Sequence, residues 1–298
     1  GQYRMEWWAE KGMPQVAPLW LLTYLPNMPA CHVAIYNDLR GPNDSLTVRE
    51  ASSNLAIAEA FTTIQRGAAD IVLTGATGSR VHPLRTVHTL LQEELAVGDA
   101  EPSTLARPFD QDRCGMVVAE GASALIVEDL ESAKARSADI LAEVIGFGAS
   151  CVMDIRGRAN LSQALINVMR QALRMAELRP DQLGHVHAHG VSTRAGDAAE
   201  AVAIGEVFGA AADSPPVVSA KSYFGNLGAA SGMVELIGSM QAMHAGHLFA
   251  TLNYDTPDPE CPVAVVTDNG TSSGTTVLSV NVTPQGQASA IVARRWTD

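Results

Sequence analysis

Residues 217–236, VVSAKSYFGNLGAASGMVEL, decide the fold: a short apolar strand, a lysine, an asparagine between two glycines, then a small-residue apolar helix carrying Glu235. A turn punctuated by glycine lets backbone come close to a ligand. Lys221, Asn226 and Glu235 thus put a lysine, an amide and a carboxylate around that turn. The same grammar of strand running into small-residue helix occurs at 45–67, SLTVREASSNLAIAEAFTTIQRG, a weak sign of two similar halves.

Working outward, strands are expected at 45–50, 69–76, 122–129, 141–149, 217–220, 262–267, 276–282 and 288–294, with a short one in GHVHAHG (184–190). Helices are expected at 51–67, from Asn160, at 196–209 and at 227–246. Leu161, Ala164, Leu165, Val168, Met169, Ala172 and Leu173 recur at helical spacing, the stripe of a helix packed on a core. Strand and helix alternate throughout, which argues for α/β layers rather than a sandwich or a bundle. The opening segment to about Asn43, with Trp7, Trp8, Trp20 and several prolines, reads as irregular cover with short helices.

Composition narrows the function. The chain has 298 residues, 47% hydrophobic and 17% charged, with a formal net charge of −12. Such a chain buries a large core, and its scattered Lys and Arg give no basic patch for nucleic acid. Cys31, Cys114, Cys151 and Cys261 lie far apart without disulfide or zinc spacing, so a reducing cytoplasm is expected. No run suggests a membrane span or a signal peptide. His185, His187 and His189 alternate on one strand face, either a metal cluster or a polar face.

Three blocks together carry a specific resemblance: RPFDQDRCGMVVAEGA (107–122), HGVSTRAGDAAE (189–200) and KSYFGNLGAASG (221–232). From about Pro18 to Arg294 the chain resembles the β-ketoacyl carrier-protein synthases, the condensing enzymes of fatty-acid and polyketide synthesis. The resemblance implies a thiolase-like α/β/α/β/α layered fold of two duplicated halves, residues 1–140 and 141–298, with the start of the first half absent. It implies that His189 polarises a thioester carbonyl, that Lys221 and Glu235 are the family's buried ion pair, and that Thr193 touches a pantetheine arm. Val191 stands where the family places a second threonine on that arm.

Departures from the family pattern bear on function. Asn226 replaces the second catalytic histidine, and its amide can still donate to a carbonyl or enolate oxygen. Aligned on Ala51-Ser52-Ser53, the nucleophile position holds Glu50, not cysteine. A helix start favours that carboxylate as it would a thiolate, but no acyl thioester can form on it. At the C-terminus Thr283-Pro284-Gln285-Gly286 replaces the family's glycine- and phenylalanine-rich gate, and a proline there fixes φ and removes an amide donor.

The resemblance therefore implies a non-condensing, chain-length-factor-like partner of an active ketosynthase, in a homodimer or heterodimer. The expected ligand is phosphopantetheine on an acyl carrier protein, with no resident cofactor or metal. An alternative is a malonyl-thioester decarboxylase in which His189 and Asn226 hold the enolate. There an ionised Glu50 would repel the malonyl carboxylate by several kcal/mol, on the order Coulomb's law gives at short range, unless its pKa were raised. A third reading is a non-catalytic scaffold.

Overall fold

The computed structural model describes residues 4–297. It contains two compact units, residues 1–47 and 48–298. Among its described residues the first holds three α-helices, α1 (Met5–Trp7), α2 (Leu21–Tyr24) and α3 (Met28–Tyr36), with a π-helical turn at Trp8–Gly12 and a 3-10 turn at Met13–Gln15, and none of them is buried.

The second unit is layered. Helices α4 (Ser52–Gln65), α5 (Pro83–Gln92), α6 (Leu130–Ala135), α7 (Leu161–Met175), α8 (Arg194–Phe208), α9 (Lys221–Phe224) and α10 (Ser231–Ala245) alternate with seven strands. Strands β1 (Ile71–Ser79) and β2 (Glu120–Glu128) pair antiparallel as a two-stranded sheet. Strands β3 (Ala142–Cys151), β4 (His185–His187), β5 (Val217–Val218), β6 (Thr276–Val282) and β7 (Gln287–Arg295) form a second sheet in the order β3-β7-β6-β4-β5. Its β4 lies parallel to both neighbours, and the β3-β7 and β7-β6 pairs are antiparallel.

Two cores hold the layers. On one face of the larger sheet, Ala164, Leu165, Val168, Met169 and Leu173 of α7 and Ile204 of α8 pack against Val186, Leu278, Val280 and Val292. On the other, Ile57 and Ala58 of α4 and Met233, Leu236, Met240 and Met243 of α10 meet Val277, Ile291 and Ala293, with Leu125 of the small sheet alongside. The predicted stripe is the buried face of α7, with Leu161 only half-buried. Asn160 caps that helix through its side chain, which accepts from Gln163 N at 3.1 Å.

Two expected strands are absent. Residues 45–48 lack regular structure, and a single helical turn at Arg49–Ala51 follows. The chain cannot stay extended there because Arg49 takes a left-handed φ of 49° while Val48 N donates to Ser52 Oγ at 2.7 Å, bending the backbone into α4. Near 262–267 only Val265 bridges β5, flanked by Val217 N to Ala264 O at 2.8 Å and Val266 N to Val217 O at 2.9 Å. With β5 only two residues long, that edge offers no longer ladder.

Gly148 explains how closely α7 lies on β3. A Cβ at that position would sit 2.4 Å from the Val168 carbonyl oxygen and 3.0 Å from its Cα, so backbone would have to move. Gly148→Ala is expected to destabilise the chain by about 1–3 kcal/mol, the usual cost of overpacking, read as a lower urea midpoint at unchanged slope.

Candidate functional site

The site gathers at the start of α4, the end of β4 and the turn between α9 and α10. Glu50 lies in the helical turn that enters α4 and is 1% exposed. Its Oε1 accepts from the Arg80 guanidinium and from Asn226 Nδ2 at 3.2 Å. Arg49 Nε lies 3.5 Å from Oε2, which receives no hydrogen bond. Glu93 closes the cluster, accepting from Arg49 and from Arg80 Nη1 at 3.0 Å. Gln285, in the turn between β6 and β7, accepts from Arg49 Nη1 at 3.1 Å.

Asn226 is held from both ends. Its Oδ1 accepts from Gly228 N at 2.9 Å and Ser231 Oγ at 3.1 Å, which fixes the amide so that Nδ2 points to Glu50 and to Met116 Sδ, 2.8 Å away. The donor that could serve an oxyanion is thus committed to a carboxylate of the chain itself.

His189 belongs to a second cluster. Lys221 Nζ pairs with Glu235, donates to the His189 carbonyl oxygen at 2.7 Å, and lies 3.3 Å from His189 Nδ1. Asn281 of β6 ties the ends together, its Nδ2 donating to Glu235 Oε2 at 3.0 Å and its Oδ1 lying 3.1 Å from His189 Nδ1. Burial, reinforced by the nearby Lys221 charge, holds the His189 pKa well below 6.5, so the ring is neutral at physiological pH.

The loop after His189 is built by two carboxylates one helical turn apart on α8. Glu200 accepts from His189 N at 2.6 Å and Gly190 N at 2.8 Å. Asp197 accepts from Val191 N at 3.0 Å, Ser192 N at 3.1 Å and Phe109 N at 2.9 Å, so the RPFD loop and the histidine loop share one anchor. Gly190 has φ +37°, and a Cβ there would meet Ser219 Oγ at 2.5 Å, which makes glycine the residue that fits. Thr193 precedes α8 and is half-buried, its side chain lying over Gly196, where a Cβ would meet Thr193 Oγ1 at 2.4 Å.

The two other histidines form a relay with only one consistent pattern of protons. The Ser273 carbonyl oxygen can only accept, so His185 Nδ1 donates to it at 2.8 Å; Ala220 N–H can only donate, so His187 Nε2 accepts at 3.2 Å. Ser239 of α10 then donates to His185 Nε2 at 2.9 Å and accepts from His187 Nδ1 at 2.8 Å. The chain of bonds ends on the amide just before Lys221 and so fixes where that lysine starts. Burial lowers both rings, His185 to about 4 and His187 well below its ordinary value.

The sequence reading singled out Glu50, His189, Thr193, Lys221, Asn226 and Glu235. The structure joins Glu50 with Asn226 in one cluster and His189 with Lys221 and Glu235 in the other. It adds Arg80, Glu93, Asp197, Glu200, Ser239 and Asn281. The signal for Arg80 was indirect: a buried glutamate at a helix start demands a cation, and Arg80 ends an apolar strand. Cys261 is packed in the core, where burial pushes its thiol up to about 12.

Two outcomes are expected. Ser239→Ala leaves His185 Nε2 and His187 Nδ1–H buried without a partner and should cost roughly 2–6 kcal/mol in urea denaturation, from about 1–3 kcal/mol for each of the two unsatisfied groups. Burial, with Asp197 nearby, pushes Glu200 from 4.5 up to about 8. A folded state that holds this proton more tightly is favoured fully below pH 4.5 and loses that advantage as pH rises through 8. Stability of the native chain should therefore fall relative to Glu200→Gln between about pH 5 and 8, by up to about 1.4 kcal/mol per pH unit. Parallel curves would rule this out.

Comparison with known proteins places this architecture. The description "Beta-ketoacyl synthase, N-terminal domain" matches residues 2–133 and "Beta-ketoacyl synthase, C-terminal domain" matches 141–255. The chain is 34% identical over 258 residues to 3-oxoacyl-[acyl-carrier-protein] synthase 2 of Staphylococcus aureus, covering 86% of this chain and 64% of that protein. The Synechocystis protein of the same name is 32% identical over 258 residues, covering 86% and 62%. The chain thus spans just under two thirds of these relatives. Among solved structures, a β-ketoacyl synthase from Burkholderia phymatum superposes with a TM-score of 0.89 at 31% identity, over 98% of this chain and 71% of that one. The ishigamide ketosynthase/chain length factor superposes at 0.86 and 27%, again over 98% and 71%. With two domain matches in chain order and these relatives, the chain belongs to the β-ketoacyl synthase family and has its thiolase-like fold.

Proposed function

We propose that this chain is a non-condensing ketosynthase-like subunit that pairs with an active ketosynthase, as a chain-length factor does, and meets acyl groups carried on the phosphopantetheine arm of an acyl carrier protein. The observation that carries the reading is the Glu50 carboxylate at the nucleophile position, bound by Arg80 and Asn226. A carboxylate so held offers no thiolate for acyl transfer, and the amide beside it has no donor left for a thioester oxygen. The likeness to the ishigamide ketosynthase/chain length factor supports the same direction. So does a solved complex described as a type II PKS acyl-carrier protein with its ketosynthase, with which this chain superposes at a TM-score of 0.86 and 28% identity.

Thr193 Oγ1, at the start of α8, is the hydroxyl best placed for the arm. The polarising role of His189 belongs to the tautomer in which Nδ1 accepts from Lys221 Nζ, 3.3 Å away, which leaves the ring's one N–H on Nε2 for a bound carbonyl. Decarboxylation is disfavoured here: a malonyl carboxylate would face Glu50, and Asn226 could not turn to an enolate without breaking its bond to that side chain.

The test co-expresses this chain with an active, cysteine-bearing ketosynthase and isolates the pair. A stable complex is expected, with products whose length changes when residues of this chain are altered. Malonyl-loaded carrier protein incubated with this chain alone should keep its mass. Conversion to the acetyl form, lost in His189→Ala, would instead establish a decarboxylase; a chain that binds neither ketosynthase nor carrier would leave the scaffold.

A further inference from the structure

Four charged side chains meet where α4 begins: Arg49, Glu50, Arg80 and Glu93. Two cations and two anions sum to zero, and Glu50 and Arg80 are each more than nine-tenths buried. The donors converging on Glu50 Oε1 come from separate elements. Arg80 follows β1, where its own N–H is held by Ala119 O at 3.0 Å. Asn226 lies in the turn before α10, its amide locked by Gly228 and Ser231. Neither donor depends on Glu50 for its backbone placement. A guanidinium and a carboxamide N–H directed at one oxygen are the groups with which proteins bind an external carboxylate. Here the carboxylate arrives on the chain's own side chain.

We infer that Arg80 and Asn226 form a binding site for a small carboxylate, and that Glu50 occupies it from within. Cutting Glu50 back to alanine removes four heavy atoms, Cγ, Cδ and the two carboxylate oxygens. These are the four heavy atoms of acetate. Acetate is therefore the ligand class matched in both size and charge to the vacated space, and its binding supplies in trans what the side chain supplies in cis. The inference deepens the reading of this site as closed by Glu50 and rests on it. It requires neither a carrier protein nor a ketosynthase, so its failure is separable from failure of the partner role.

The experiment is thermal denaturation of the full chain and of Glu50→Ala with increasing acetate, at constant ionic strength held with chloride. Without acetate the variant melts below the native chain, because Arg80 is left as a buried cation short of one partner. Acetate should raise its melting temperature saturably, as expected for a ligand that binds only the folded state. Acetamide, of the same shape without the charge, should not, and the native chain should not respond to either. Adding Arg80→Ala to Glu50→Ala should weaken the apparent affinity for acetate at least tenfold. The inference fails if acetate and acetamide act alike, if the double variant responds as the single one does, or if Glu50→Ala stays unfolded at every acetate concentration.

Discussion

The ion pair of Lys221 with Glu235 is the interaction on which this arrangement depends. Both side chains are almost wholly buried, so neither charge is tolerable without the other. Each remaining bond of the pair reaches a different element. Lysine holds the carbonyl at the end of β4, and glutamate holds Asn281 on β6, which in turn meets the His189 ring. One pair thereby fastens the α9–α10 turn to the centre of the larger sheet and sets which way the histidine faces. Removing one partner would strand a charge in the interior, a loss on the order of 3–5 kcal/mol.

Around this anchor the turn that enters α4 is held in a bent form. Arg49 retains a left-handed backbone, a conformation that costs about 1–3 kcal/mol for a residue other than glycine and persists only where its surroundings enforce it. Surroundings here include Ser52, bound by Val48 N, and the guanidinium contacts of Arg49 itself. Glu50 sits in the same turn, and its carboxylate is bound there by Arg80 and Asn226.

Much of this was legible in the sequence, and for definite reasons. The stripe on α7, the strands around 71–79 and 276–282, and the placing of Lys221, Glu235, His189 and Asn226 follow from local periodicity or contiguous motifs. The strand expected at 45–50 was misread because alternation in SLTVRE looks the same whether or not the chain bends at Arg49. Arg80 and Glu93 escaped notice because their meaning lies in contacts across 30 and 13 residues of sequence. Ser239 was hidden similarly: a serine in an apolar helix gives no sign that two histidines on a strand will share its hydroxyl.

The four-charge cluster also limits which side chains position 50 can carry. Exchanging Glu50 for cysteine would place a thiol in the turn that enters α4 by one substitution. Yet Arg80 would then lie buried beside a smaller, more weakly paired group, and Glu93 alone would have to balance two guanidinium groups. A thiol at position 50 would therefore need coordinated change at Arg49, Arg80 or Glu93 to keep the buried charges balanced.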